Sequence, residues 1–319
     1  MDAIERSRHS KRKKLMKKIV VIGSANTDMV VKSAKLPLPG ETLLGGTFFM
    51  NAGGKGANQA VAAARSGGNV TLIAKVGNDI FGKQTIEGLQ KENINTDYVF
   101  VDDTASSGTA LIMVNDEGEN CIVVAPGANA KLLPDDIEKV KNIAWAEIIL
   151  MQLEIPMETI TVVAKIAKAN NQKVIINPAP AQKLDDELLN GLFLITPNET
   201  EASLLTGITV VDEETASQAA VIFLNKGVQN VIITLGKQGA YFQNENLKLR
   251  IPAPVVLAMD TTAAGDTFSG ALTVAITENM DPINIGWEKA IQFAVEAASI
   301  SVTRLGAQSS VPYRSEIVI

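Results

Sequence analysis

The chain has 319 residues, 46% of them hydrophobic, and a formal net charge of −6. That length and apolar share suffice for a large core, while no apolar run reaches the ~18 residues that cross a bilayer, so a soluble, cytoplasmic protein is expected. A single cysteine, Cys121, excludes an internal disulfide, and a single histidine, His9, denies the body of the chain a Ser-His-Asp triad, a Cys-His pair or a histidine-rich zinc site.

Residues 1–18 hold eight Lys and Arg against two acids, a net of +6, which leaves −12 for the remainder. An acidic body argues against nucleic-acid binding, and residues 1–15 are expected to be a basic, disordered extension without an assigned role. It is followed only by the short apolar run 19–22, unlike a secretory signal. Beyond it, short β-branched runs ("KKIVVIG", "VTLIAKVG", "EIILMQL", "KVIINPA", "LFLITPN", "NVIITLG") alternate with helical patterns such as "METITVVAKIAKANN" and "DEETASQAAVIFLNKG". Alternation of this kind predicts an α/β fold with a doubly wound, mostly parallel sheet flanked by helices. Two pieces break it. "ETLLGGTFFMN" (41–51) and "SGTALIMVNDEGENCIVVAP" (107–126), the latter with "NDEG" as a hairpin turn, predict a small antiparallel β lid. Its strands are drawn from about 28–51 and 107–126, within one domain over 16–319.

Parallel sheets bind ligands beyond the carboxyl ends of their strands. Polar residues follow several runs at once: Asn26, Asp28, Glu154, Asn177, Asn198, Thr234 and Asp260, the last after "VVLAM". Each alone could be a turn former or a cap; together they suggest a site lining. The loop "NAGGKGANQAVAAA" (51–64) is neither a Walker A loop nor a Rossmann fingerprint, and its three glycines let backbone approach a small polar ligand. "TPNETEA" has the spacing of a capping box, Asn198 with Glu201. "MDTTAAGDTFSGAL" (259–272) predicts a buried helix starting at or beside Asp266, preceded by small residues that leave N–H groups uncovered for an anion. A carboxylate beside a bound phosphate is tolerable if it takes a proton from the group that receives the phosphoryl, which makes Asp266 a candidate general base. Without body histidines, such positioning and electrostatics suit phosphoryl transfer.

Taken together these pieces resemble the ribokinase/fructokinase/adenosine kinase family of sugar and nucleoside kinases, in order over 17–314. "DTTAAGDTFSG" is similar to its C-terminal signature and "GGKGANQA" to its N-terminal glycine signature. "GSANTD", "NPAP", "TPNETEA", "ITLGKQG" and "VTRLGAQSSVP" fit the ribokinase branch more narrowly. The resemblance implies a Rossmann-like ribokinase fold and ATP-dependent phosphorylation of the 5-hydroxyl of D-ribose. Asn26, Asp28, Gly53, Gly54, Lys55, Gly56, Ala57, Asn58 and Glu154 would hold the sugar, and Asp266 would deprotonate it. Ala263, Ala264 and Gly265 would form the anion hole. ATP would meet Asn198, the turn Thr234, Leu235, Gly236, Lys237, Gln238 and Gly239, and Gly265, with Glu201 organising Mg²⁺ through water. A monovalent cation, usually K⁺, would sit at Asp260, Thr262, Ser301, Arg304, Gly306 and Ser310, largely on backbone carbonyls. The lid would also form a homodimer. A kinase for another small sugar, such as deoxyribose or fructose, is the runner-up. A catalytically silent sugar-binding regulator is disfavoured by the intact Asp266 and sugar set.

Overall fold

In this computed structural model the described residues are 18–140, 143–278 and 286–318; the basic extension of 1–15 lies outside them. The first part of the chain runs β1 (Lys18–Ile22), β2 (Asn26–Lys32), β3 (Thr47–Gly53), α1 (Lys55–Arg65), β4 (Asn69–Gly77), α2 (Ile80–Lys91), β5 (Asn95–Asp102), β6 (Gly108–Val114) and β7 (Asn120–Ala125). It continues with α3 (Pro134–Lys139), β8 (Ile148–Met151), α4 (Met157–Ala169), β9 (Lys173–Ile176), α5 (Asp186–Leu189), β10 (Leu194–Ile195), α6 (Glu199–Thr206) and α7 (Glu213–Asn225). The last elements are β11 (Asn230–Thr234), β12 (Ala240–Asn244), β13 (Lys248–Ile251), α8 (Ala264–Glu278) and α9 (Trp287–Ser301).

Nine strands form the main sheet in the order β13-β12-β11-β10-β9-β8-β1-β4-β5. From β11 to β5 every pairing is parallel, and β12 alone runs against its neighbours. The six β-branched runs of the sequence are β1, β4, β8, β9, β10 and β11. Such runs are apolar at consecutive positions because both faces of the sheet are covered. In β1, Ile19 and Val21 enter the core shared with α1, α8 and α9, whereas Val20 and Ile22 enter the core shared with α4 and α7. "VVLAM" differs from the expectation of a strand. Residues 252–258 form none, and Val255 and Leu257 are exposed. Pro252 and Pro254 remove two N–H donors just where the chain leaves the sheet edge at β13, so no ladder continues.

The lid is a four-stranded sheet, β3-β2-β6-β7. Its two antiparallel pairs, β2–β3 and β6–β7, are joined by a parallel β2–β6 contact. Register places Asn26 between Gly53 and Gly108, and Asp28 between Asn51 and Ala110. Asn26 and Asp28 therefore belong to the lid's inner strand, not to a loop after β1, and share one face by the two-residue period of a strand.

Small residues decide how α1 meets α8. A Cβ at Gly270 would stand 2.5 Å from the Gln59 carbonyl oxygen and 2.6 Å from Ala62 Cβ. A Cβ at Gly56 would stand 2.5 Å from the Gly23 carbonyl carbon. The backbones thus approach as closely as glycine permits, and no flexible side chain could give way. Gly270→Val is expected to force the helices apart, costing about 1–3 kcal/mol in chemical denaturation and lowering turnover at temperatures where the variant stays folded. Unchanged stability and turnover would contradict the close packing.

Candidate active site

The strand ends and the two helix starts converge at the carboxyl edge of the parallel sheet. α1 begins at Lys55 because Gly54, its N-cap, adopts φ 85°, and a Cβ there would stand 2.6 Å from the Asn26 backbone nitrogen. Beside it, a Cβ at Gly53 would meet the Asp28 carboxylate at 2.3 Å. Glu154, just past β8, accepts from Lys55 N at 3.0 Å and from the Ser24 hydroxyl. Asn26 is buried, and its Oδ1 accepts from Asn129 Nδ2 at 2.6 Å, so its own amide N–H groups are left for another partner. Gly56 and Ala57 follow inside the first turn of α1, where Ala57 N donates to Ser24 O at 2.8 Å. The residues expected to hold a sugar are thus gathered on β2, the Gly53–Asn58 loop and the end of β8.

Asp266 joins them from the other side. α8 starts at Ala264, two residues before Asp266, so Asp266 lies in the first turn and is not a helix cap. Its side chain is buried; Oδ2 accepts from Asn58 Nδ2 at 3.0 Å and Oδ1 from Gln59 Nε2 at 2.9 Å. Ala263 takes a left-handed φ of 59°, an uncommon conformation for a residue with a Cβ, and a Cβ at Gly265 would meet nothing within 4 Å. The start of α8 leaves first-turn N–H groups without intrahelical partners, beside open space at Gly265, while Ala264 N donates to Thr261 O at 3.2 Å.

Charge is concentrated here. Burial pushes the Asp28 carboxyl up to about 6, with Glu154 and Asp266 adding to the rise and Lys55 opposing it. Burial likewise raises Asp266, against the pull of Lys55 and of the Asn58 and Gln59 amides, with Glu154 adding to the rise. Burial opposes the Lys55 charge, yet Asp266, Glu154, Glu201 and Asp28 together hold its ammonium above the usual lysine range. One cation thus serves four carboxylates.

The remaining expected residues form two adjoining groups. Asn198 caps α6 in a reciprocal box: Glu201 N donates to Asn198 Oδ1 at 2.8 Å and Asn198 N to Glu201 Oε2 at 2.9 Å. Asn198 also bridges Thr234, and Thr234 N donates to Pro197 O at 2.9 Å, which sets the Thr234–Gly239 turn beside the cap. Within that turn Leu235 is buried, Gly236, Lys237 and Gln238 form one 3₁₀ turn, and Gly236 and Gly239 have φ 49° and 94°. Burial raises the Glu201 carboxyl, while its bond from Asn198 N and the Lys55 charge oppose the rise, with Asp266 and Glu199 adding to it. In the second group, Asp260 Oδ1 accepts from Thr262 N at 2.8 Å and Oδ2 from Gly306 N at 2.9 Å. Asp260 N also donates to Val302 O, Arg304 N to Ser301 O, and the Ser310 hydroxyl to Ala307 O. The 260–262 and 301–310 segments, far apart in sequence, are thereby held together.

Four residues escape the sequence reading. Gln59 and Gln152 join Asp266 through amide hydrogen bonds, Ser24 holds Glu154, and Asn129 holds Asn26. Gln152 had a signal, being the one polar residue in "IILMQL" at a strand end. Gln59 stands inside the quoted glycine motif, and Asn177, already noted as a polar residue after a strand, accepts from it at 3.0 Å.

The profile of the pfkB family of carbohydrate kinases matches residues 16–314. A ribokinase of Haemophilus influenzae is 44% identical over 95% of this chain and 97% of its own. A deoxyribokinase of Salmonella typhi is 38% identical over 92% of this chain and 95% of its own. The structure of Arabidopsis thaliana ribokinase complexed with ribose and ATP superposes with a TM-score of 0.87 at 34% identity, covering 95% of this chain and 98% of that one. A deep family match over nearly the whole chain, with the glycine loop and the Asp266 turn meeting at one sheet edge, leaves one assignment: this chain belongs to the pfkB family of carbohydrate kinases.

Proposed function

We propose that the chain is an ATP-dependent ribokinase, converting D-ribose and ATP into D-ribose 5-phosphate and ADP. The observation that carries this is the pinning of the buried Asp266 carboxylate between Asn58, Gln59 and the open first turn of α8. The similarity to ribokinases, and to one solved with ribose and ATP, supports the choice of substrates. Asn26, Asp28, the Gly53–Asn58 loop and Glu154 would hold the sugar hydroxyls with a donor and acceptor set suited to a polyol. Asp266 would take the proton of the 5-hydroxyl as its oxygen bonds to the γ-phosphorus and the bond to the ADP oxygen breaks. The backbone amides of Ala263, Ala264 and Gly265 would face the charge on the moving phosphoryl, and Lys55, half-buried beside the carboxylates, would offset the excess negative charge. Asn198 and the Thr234–Gly239 turn, with Gly265, would contact the nucleotide.

The donor sets fit the expected metals. Among the described residues no cluster of three or more His, Cys, Asp or Glu could cage an ion. Glu201, a buried oxygen donor with one carboxylate oxygen in the cap, suits Mg²⁺ held mainly by phosphates and water. The joined 260–262 and 301–310 segments, with Ser301, Arg304, Gly306 and Ser310, suit a monovalent cation such as K⁺ held by carbonyls. Mg²⁺ would neutralise phosphate charge and K⁺ would order the loop from Asp260 to Asp266. Among the described residues no helix is long and apolar enough to cross a membrane, and a cytoplasmic location fits the single cysteine.

The lid also offers a dimer surface. In register across its four strands, Met50, Met29, Leu111 and Val123 form one apolar row, and Phe48, Val31 and Met113 belong to the next, most of them exposed. Ile122 and Val124 are exposed on the opposite face. Contiguous apolar surface of this kind marks an interface. A homodimer is expected by sedimentation velocity, and Leu111→Arg, in that apolar row, should convert it to monomers; a monomeric parent chain overturns this reading.

Asp266→Asn is expected to lower turnover of ribose with ATP by about 10²–10⁴-fold while nucleotide affinity and thermal stability stay near the parent's; near-normal turnover would sink the assignment. The preferred sugar follows from comparing ADP release with ribose, deoxyribose and fructose, ribose having the highest kcat/KM.

Asp28 yields a prediction with a definite sign. Its carboxyl is raised to about 6 in the fold, so the stability it contributes is complete below its unfolded value and is lost as pH rises through about 6. Asp28→Asn should therefore stabilise the sugar-free protein by about 1–2 kcal/mol near pH 8 and by almost nothing near pH 4, and should weaken sugar binding at both. Denaturation curves at the two pH values check it; an equal effect at both would contradict the charge argument.

A further inference from the structure

The polar groups behind Asp266 form a directed chain. Thr196 contributes a backbone carbonyl, which can only accept, and Asn177 Nδ2 donates to it at 3.0 Å. Asn177 must therefore turn Oδ1 toward Gln59, whose Nε2 donates to it at 3.0 Å and, with its second proton, to Asp266 Oδ1 at 2.9 Å. The opposite end of the Gln59 amide, Oε1, accepts from Gln152 Nε2 at 2.6 Å. Gln152 is itself completely buried, against a glycine: a Cβ at Gly23 would stand 2.0 Å from its Oε1. No member of the chain can flip without placing like groups face to face. Asn58 supplies the second constraint, donating to Asp266 Oδ2 at 3.0 Å while its own Oδ1 is buried without a partner.

We infer that Gln59 is a positioning residue: anchored by Asn177 and Gln152, it donates a hydrogen bond to Asp266 Oδ1 while Asn58 donates to Oδ2, so that the carboxylate is held in one plane, ionised, with a remaining lone pair turned to the sugar alcohol. This deepens the reading of Asp266 as general base and rests on it. A proton on Oδ1 would confront the Gln59 N–H, so the relay selects the ionised carboxylate and fixes the plane of its two oxygens. The charged groups acting on Asp266 are Lys55 from α1, Glu154 beyond β8, Asp28 from β2 and Glu201 from α6. Of these only Lys55 favours the ionised form, alongside the two amides. Loss of the Gln59 donor should accordingly leave burial less opposed.

The test is the pH dependence of kcat for Gln59→Met, which keeps the shape of the side chain and cannot donate. Its acid limb is expected to move upward by about one pH unit relative to the parent, with kcat down by up to about tenfold on that limb and recovering toward alkaline pH. KM for ribose and for ATP should change little, because Gln59 is completely buried and its hydrogen bonds go to Asp266, Asn177 and Gln152. Gln152→Met, which removes only the donor to Gln59, should shift the limb in the same direction by less, and serves if Gln59→Met fails to fold. A Gln59→Met or Gln152→Met enzyme whose kcat falls equally at all pH values, or whose acid limb matches the parent's, overturns the relay. Asp266→Asn measured alongside separates the two readings. Retained turnover in it defeats the base, whereas an inactive Asp266→Asn with unshifted limbs in the glutamine variants defeats the relay alone.

Discussion

The seam between α1 and α8 is the constraint on which the site depends. Gly56 lets α1 press on the turn after β1, and Gly270 lets α8 press on α1, each at a distance that leaves no room for a Cβ. Alanines at 57, 60, 62 and 63 keep the rest of the contact thin and fully buried. Because the helices meet so closely, residues at the start of α1 reach residues in the first turn of α8, and Asn58 and Gln59 arrive on the two oxygens of Asp266. The same seam fixes Lys55 above the acids and brings the glycine loop against β2. Packing of small residues, a feature with no chemistry of its own, therefore determines where the chemistry stands.

A site assembled in this way works against the stability of the fold. Asp28, Glu154, Asp266 and Glu201 are drawn toward one half-buried lysine, and burial raises the carboxyls of Asp28, Asp266 and Glu201. Ionised acids close together in a poorly solvated cleft repel one another. The arrangement persists because it is over-determined: Glu154 is tied to Ser24 and to Lys55 N, and Glu201 to the Asn198 cap. Hydroxyl groups of a polyol, entering this cleft, would give the carboxylates donors in place of repulsion, which is the physical sense in which the free site is complementary to its proposed ligand. Stability and function pull in opposite directions here, as in many active sites.

Much of this was legible in the sequence, for reasons that can be stated residue by residue. The strands of the parallel sheet announce themselves because burial on both faces demands consecutive β-branched residues, as in Ile19–Ile22. The polar residues just beyond them mark the binding edge because parallel strands all end on one side. The glycine loop and the Asp266 turn carry unusual composition because backbone must approach backbone or ligand. What the sequence conceals is pairing across long separations. Nothing near Asn26 signals that β2 lies parallel to β6, or that Asn129 will hold its amide. The apolar residues 255–257 look like a strand because composition alone cannot register that the sheet has already ended at β13. Gln59 was hidden differently: its neighbours Lys55 and Asn58 supply sufficient reason for the motif, so its own partner becomes apparent only when α8 is in place.

The choice of amides behind the proposed base has a physical logic tied to the chain's having one histidine, His9, outside its motifs. In the better-known arrangement a histidine is both base and titrating group, and a change in its protonation exchanges donor for acceptor. Asparagine and glutamine cannot make that exchange. Their donors and acceptors are fixed by covalent structure, and in this network they are fixed again by an anchor, the Thr196 carbonyl, that has no proton to give. The orientation of Asp266 is thus set by groups that do not titrate, although the charges of Asp28, Glu154, Glu201 and Lys55 still act on its carboxyl. Burial raises that carboxyl; one lysine and two amide donors oppose the rise. A neutral scaffold that orients the proposed base, beside a helix start that would take an anion, would let proton removal and phosphoryl transfer occupy adjacent space without any group having to serve both.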